Sequence, residues 1–431
     1  MWTLPANVIY AACQWAVIVL LAKVASVEIV GQYALATAVA VPSAFLADFR
    51  LRVLFVTDAR HKYDFREMFG LRLMLAALSV TVALTVCRIT HWDAATSHVI
   101  LLVTVAQLMD SLSETFFGTF QRAERMDRIA ISLVLRSALS AAAVTVIVHF
   151  THSLAWGVLG MILAKASVLL LYDARYGTSA DFTEVEPNWH LHESYLQRIR
   201  PRWNLRNQIE MLQVAWPLAV IAVTISINGY LPRYALESLL SRRDLGIYAA
   251  MGYIPTGYFM VCTALTYVAF ARLSKLFAAG DLAAFKVLIL KIAGICASLG
   301  LGGLLISIVA GRQLLTIVYR PEYAQYVSLL RLLMCVGTLQ CLTTAVQSGL
   351  TAASEFRIQV PLFITVGLIT LVGCWILVPR VGLSGAAYAV LISYTFQLSG
   401  SAFLTLRTMA RRARDINLRR CSVLQPAVGT R

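Results

Sequence analysis

Apolar residues run along this chain in long blocks, with charged and turn-forming residues gathered between them. Twelve blocks stand out, at about 4–21, 30–47, 71–87, 99–120, 129–150, 153–172, 214–230, 246–270, 287–310, 326–345, 360–378 and 385–409. Most approach the ~20 residues that a membrane-crossing helix needs. They are too long for strands, and in lipid every backbone N–H and C=O must be paired within the segment. The pattern predicts an all-α polytopic membrane protein with about twelve transmembrane helices.

Composition sharpens that reading. Of 431 residues, 59% are apolar and 14% charged, and mean hydropathy is +0.73. A soluble domain is nearer half apolar and a quarter charged, and a disordered chain is far less hydrophobic. The first apolar run lacks a basic flank and a small-residue exit, so it reads as a retained span and not a cleaved signal. The net charge of +15 would raise nucleic acid as a partner in a soluble protein. Here it fits cationic loops held against anionic lipid, and no nucleic-acid partner is expected.

The basic residues also set an orientation. The loops after the even-numbered spans, with the tail, hold 27 of the 37 Lys and Arg. The odd-numbered loops and their flanks hold nine: Lys23, Arg88, Arg233, Arg242, Arg243, Arg312, Arg320, Arg331 and Arg380. This bias predicts both termini in the cytoplasm and a place in the cell's inner (cytoplasmic) membrane.

One composition break divides the spans six and six. Residues 173–210 carry 11 charges in 38 residues, with Pro187 and Pro201. The expected organisation is a six-helix lobe at 1–172, a cytoplasmic linker at 173–210, a second six-helix lobe at 211–409 and a basic tail at 410–431. The linker's second half mixes Tyr195, Leu196, Ile199, Trp203 and Leu205 with Arg198, Arg200, Arg202 and Arg206, which suits lying at lipid headgroups. An internal echo supports the division. Val30-Gly31-Gln32-Tyr33-Ala34, followed by Pro42, matches Leu245-Gly246-Ile247-Tyr248-Ala249, followed by Pro255. Halves with even span counts share one orientation, the parallel repeat of transporters whose bundles rock about a central site.

Ionisable groups at membrane depth cost roughly 2.5–3.5 kcal/mol and usually face an interior or a wet cavity. Asp110 and Glu114 lie one turn apart on the fourth span, and Arg136 lies on the fifth. At the helical rise, Glu114 sits ~10 Å deep, Arg136 ~13 Å and Asp110 ~16 Å. That order predicts a cluster, either a structural salt bridge or a proton- or cation-coupling site. Lys165 has no acid within a turn of its own helix. Arg233 follows Gly229 and Pro232, residues that break helices and so mark an expected hinge. Arg331 lies about two turns inside the tenth span. These three cations are candidate contacts for an anionic substrate, while Asp48, Arg50 and Arg52 read as an interfacial cap.

Other chemistries lack a framework. The eight Cys show no CxxC or CxxH spacing, and most sit in apolar runs, so neither a disulfide set nor a metal site is expected. His149 and His152 read as interfacial. There is no phosphate-binding glycine loop, no HExxH, no nucleophile–base pair and no cofactor motif, so the chain is not expected to be an enzyme.

Several stretches resemble the polysaccharide transporter branch of the multidrug/oligosaccharidyl-lipid/polysaccharide exporter superfamily, the O-antigen and exopolysaccharide repeat-unit flippases. They are Gln121-Arg122-Ala123-Glu124-Arg125-Met126-Asp127 with Ser132 and Arg136, then Asn228…Leu231-Pro232-Arg233-Tyr234 with Leu245-Gly246-Ile247-Tyr248, then Glu322-Tyr323-Ala324, and Gly382-Leu383-Ser384-Gly385-Ala386-Ala387. One departure is that the first span begins almost at Met1, where the family usually has a short polar stretch. The resemblance implies two six-helix lobes around a cavity that alternates between membrane faces. It implies outward carriage of a lipid-linked (prenyl-diphosphate) oligosaccharide, with membrane lipid and polysaccharide-assembly proteins as partners. Lys165, Arg233 and Arg331 suit the diphosphate. The rival readings are a drug or organic-cation antiporter, which needs an acid-lined cavity, and a glycan polymerase or ligase, which needs a large outward loop.

Overall fold

A computed structural model describes residues 3–58, 62–178, 197, 199–353 and 356–424. Among the described residues the regular structure is all helical. The first helices are α1 (Thr3–Val24), α2 (Val27–Asp48), α3 (Leu51–Thr57), α4 (Phe65–Thr90), α5 (Ala94–Arg122), α6 (Met126–Thr151) and α7 (Leu154–Val168). A π-turn at Leu169–Asp173 and a short helix at Ala174–Gly177 continue α7. Then follow α8 (Leu205–Leu239), α9 (Arg242–Gly252), α10 (Thr256–Ala279), α11 (Leu282–Val318), α12 (Val327–Ala352), α13 (Phe356–Val381) and α14 (Leu383–Leu424). Among the described residues, eleven helices are long and apolar enough to cross a membrane, or twelve if the bent α8 counts as one span.

The helix starts follow local chemistry. Ser26, Asp64, Asp93 and Asp281 each accept a backbone N–H from the first turn of the helix they precede, which satisfies donors that a helix leaves open. The turns into and out of these helices use left-handed residues at Phe49, Arg50, His91 and His152.

Two sequence expectations change in detail. The eighth block, 246–270, is two helices, because α9 ends at Gly252 and α10 begins after Pro255. The helix-breaking role expected at Gly229 and Pro232 is not observed: α8 runs through both, and its 56° bend falls between Trp216 and Ala219, around Pro217. Lateral ties hold the Gly229–Pro232 stretch straight. Arg233 donates to Thr37 Oγ1 at 3.1 Å on α2, and Tyr234 Oη donates to the Ala38 carbonyl. Most of the expected linker, including Tyr195, Leu196 and Arg198, lies outside the described residues, as does the tail beyond residue 424.

The chain forms two compact units, Met1–Ala250 and Met251–Arg431. The first therefore includes α8, beyond the linker at which the sequence reading divides the chain. The end of that linker is tied down within it. Asn204 and Asn207 donate to the two carboxylate oxygens of Glu67, each at 2.9 Å. Arg202 N donates to the Arg66 carbonyl at 3.1 Å, and Lys62 pairs with Glu210. Glu67 sits in the first turn of α4, where a carboxylate also complements the helix dipole.

The two echoed glycines meet each other. A Cβ on Gly31 of α2 would lie 1.9 Å from the Arg242 carbonyl oxygen, and one on Gly246 of α9 would lie 2.3 Å from the Val27 carbonyl oxygen. Glycine is required at both positions because backbone meets backbone. Beside this crossing, Arg242 pairs with Asp93 at the start of α5 and with Glu237 at the end of α8.

Candidate functional site

The first unit carries a network of charged side chains inside its helix bundle. Asp110 on α5 stands at its centre. Arg136 Nε on α6 lies 3.2 Å from Asp110 Oδ1, and Lys165 Nζ on α7 donates to Asp110 Oδ2 at 2.7 Å. Lys165 also donates to the Ala106 carbonyl at 3.3 Å. Both cations are almost wholly buried, at 2% exposure for Arg136 and 3% for Lys165. Arg136 also faces the ring of Phe117, 5.3 Å from its centroid.

The expected pairing of Asp110 with Arg136 is present. The acid that Lys165 lacks on its own helix comes from α5, so the expectation of an unpaired Lys165 is corrected. Glu114 turns elsewhere: Arg52 Nη1 donates to Glu114 Oε2 at 2.6 Å, and Arg52 Nε and Nη2 bind Gln121 Oε1 at 3.0 and 2.9 Å. Arg52 is thus also a partner in the network, at its partly exposed side.

Two members escaped the sequence reading. Arg72 on α4 is wholly buried. Its Nη1 donates to the Ser111 carbonyl at 2.6 Å and to Ser111 Oγ at 3.0 Å, and it pairs with Asp48 at 3.4 Å. Arg72 opens an apolar block, which disguises it as a helix-end residue. Asp173 was assigned to the linker, yet it is wholly buried at the close of the π-turn after α7. It faces the hydroxyls of Ser132 and Ser113 and the charge of Arg136. A π-turn inserts a residue into the helical register and commonly marks a functional position.

The network is balanced. Asp48, Asp110 and Glu114 form salt bridges with Arg72, with Arg136 and Lys165, and with Arg52, respectively, while Asp173 acts on Arg136 only at longer range. A buried ion left alone costs several kcal/mol, so such pairing is what allows these groups at membrane depth. Next to it lies an enclosed cavity with room for about one water molecule, lined in part by Gln14, Tyr33, Gln107, Ser137, Ser140 and Lys165. An aromatic and aliphatic cluster around Phe55, Phe65, Phe116, Phe117 and Phe120 packs beside the charges. It keeps their surroundings poor in water, which strengthens each pair.

The other two candidate cations are placed differently. Arg233 reaches α2, donating to Thr37 Oγ1 and to the Ala34 carbonyl at 3.5 Å, and stacks on Tyr230 at 4.8 Å. Arg331 on α12 is exposed and donates to the Ile308 carbonyl on α11 at 3.2 Å. Within the first unit, Lys165 and Arg233 belong to separate described contacts. Among the described residues no group of three His, Cys, Asp or Glu is placed to hold a metal ion.

The helical architecture is that of a multi-pass membrane protein. It is similar to an inward-facing multidrug resistance MATE family transporter of the MOP superfamily, with TM-score 0.63, 12% identity and 96% of each chain covered. An outward-facing conformation of such a transporter matches with TM-score 0.62 and 11% identity, covering 96% of this chain and 94% of that one. These likenesses concern the fold alone. The sequence supplies the next step: residues 1–277 match the family of polysaccharide biosynthesis proteins, and the chain belongs to that family. It is also similar to the capsular polysaccharide biosynthesis protein CapF of Staphylococcus aureus, 23% identical over 390 residues, covering 90% of this chain and 93% of that protein. Family and fold agree with the motif resemblance to polysaccharide transporters of the MOP superfamily.

Proposed function

We propose that this protein carries a prenyl-diphosphate-linked oligosaccharide repeat unit outward across the cytoplasmic membrane by alternating access, for surface polysaccharide assembly. Its termini lie in the cytoplasm, and it catalyses no covalent step. The observation that carries the reading is the balance of the first unit's interior. Three of the four acids in that described network, Asp48, Asp110 and Glu114, are salt-bridged to an Arg or Lys, and the fourth, Asp173, is wholly buried, so the network offers few carboxylates to draw in an organic cation. A drug-cation antiporter needs such an acid. Arg233 in the first unit and Arg331 in the second are each a candidate cation for the diphosphate, as forked donors suited to phosphate oxygens. Lys165 belongs to the scaffold that Asp110 organises.

The membrane potential favours this direction. With a negative interior, each exported negative charge gains about 2.3 kcal/mol per 100 mV. The test is deletion of the gene, followed by assay of lipid-linked glycan on each membrane face. The expected result is glycan accumulating on the cytoplasmic face with loss of the outer pool. Normal outer glycan, together with sensitivity to cationic drugs, would transfer the protein to the antiporter class.

A further inference from the structure

The crossing of α2 and α9 has a symmetry that its sequence echo foreshadows. Gly31 faces the carbonyl of Arg242, four residues before Gly246, and Gly246 faces the carbonyl of Val27, four residues before Gly31. A Cβ on Gly31 would stand 3.2 Å from the Gly246 nitrogen, and one on Gly246 would stand 2.9 Å from the Gly31 nitrogen. Each helix thus offers the other the same surface, the mark of a self-complementary, two-fold contact. Equivalent helices of the repeated halves meet here about a local two-fold axis.

The ties around the crossing are few and polar. Gln32 of α2 donates to Thr96 Oγ1 of α5 at 3.3 Å, so α2 and α5 form one side of the contact. The other side is α8 and α9. From it, Arg233 and Tyr234 reach Thr37 and the Ala38 carbonyl of α2. Arg242 bridges the two sides: it pairs with Asp93, which caps α5, and its Nε lies 3.6 Å from Glu237 of α8. The Arg242 and Asp93 side chains are 35% and 47% exposed, and ion pairs so open to water are individually weak. Contacts that part during work are more polar than permanent ones, and this one has that character.

The side formed by α8 and α9 is also framed by breaks. Helix α8 bends by 56° between Trp216 and Ala219, and α9 ends at Gly252, ahead of the α10 start after Pro255. The segment from Ala219 to Gly252 therefore sits between two bending points. The crossing gathers the connections that follow the first, third and seventh apolar blocks. By the charge bias of the loops, these connections lie at the outer end.

We infer that the α2–α9 crossing is a latch that holds the outer end of the first unit shut, with Arg242 as its catch. It parts in each cycle, when the segment between the two bends swings away from α2 and α5. The inference rests on the proposed transport and deepens it by naming the residues that gate it. A permanent structural seam is the competing reading.

The test places Ala249→Cys, a position 1% exposed and one turn past Gly246, in full-length protein in proteoliposomes. Its rate of labelling by a membrane-impermeant maleimide is followed by peptide mass spectrometry. Labelling is expected to be slow, to quicken about fivefold or more with Arg242→Gln, and to stay slow with Arg242→Lys, which keeps a charge for Asp93. Equal rates in the parent and Arg242→Gln overturn the latch. A second arm uses Asp93→Cys/Arg242→Cys bridged by a cleavable bis-thiol reagent, and it decides the matter if Arg242→Gln lowers abundance. Bridging should stop outward movement of a prenyl-diphosphate sugar, and cleavage by a reductant should restore it. Movement that continues at the unbridged rate shows a permanent seam. Absence of movement before bridging defeats the transport reading, while the labelling rates still judge the latch.

Discussion

Asp110 holds two buried cations at once, and that decides how its neighbours respond to change. Lys165→Ala leaves a buried carboxylate with one partner fewer, and breaking a buried pair typically costs about 3–5 kcal/mol. We expect membrane abundance of Lys165→Ala to fall several-fold on immunoblots, and the double variant Lys165→Ala/Asp110→Asn to recover part of it, because Arg136 still faces Asp173. Full abundance of the single variant with lost glycan export would move Lys165 from the scaffold to the substrate path. Part of this network was legible in the sequence. Asp110 and Arg136 lie on consecutive helices joined by a short turn, so the helical rise alone set them at similar depth. The pairs Lys165–Asp110 and Arg52–Glu114 were not, since 55 and 62 residues separate the partners and only packing brings their helices together. Asp173 was hidden for another reason: a π-turn extends the helix beyond the last apolar residue, so a buried acid read as the first residue of a linker.

At the scale of helices, the crossing of α2 and α9 is the most constrained contact described. Gly246→Ala drives a methyl group into the Val27 carbonyl, and overpacking of this kind costs about 1–3 kcal/mol. The expected outcome is a lowered melting temperature of purified protein, while Gly302→Ala, in open space, leaves it unchanged; equal melting of the two variants would contradict the packing argument. The neighbouring Asp93–Arg242 pair supplies a pH expectation. Arg242 holds the Asp93 carboxyl down to about 2, below the ordinary 3.8. A carboxyl depressed in the folded state contributes stability above its ordinary range and loses that contribution as pH falls from about 4 toward about 2. The melting difference between wild type and Asp93→Asn should be constant from about pH 5 to 8 and shrink below about pH 4. A difference that disappears near neutral pH would contradict the ion pair. The twelve apolar blocks foretold nearly every long helix, because length and hydropathy are local properties. They did not show that Pro255 ends a separate short helix, or that the sharp bend falls near Pro217 and not at Pro232. Those outcomes depend on which segments neighbouring helices hold straight.

The whole molecule combines a first unit that carries a buried charge network with a second unit that carries an open apolar groove. Membership in the polysaccharide biosynthesis family and the transporter fold fit a carrier whose cargo has an anionic head and a long apolar tail. The sequence anticipated the polytopic all-helical fold because hydropathy and block length are local properties. It could not anticipate the groove, which depends on how three consecutive helices pack side by side. The most direct test of the account is reconstitution of the purified protein in liposomes with a fluorescent sugar linked to prenyl diphosphate in the inner leaflet. The account predicts protein-dependent appearance of the sugar at the outer surface, accelerated by an inside-negative potential and reduced in Arg331→Ala. Liposomes that instead move an organic cation, and leave the lipid-linked sugar where it began, would contradict it.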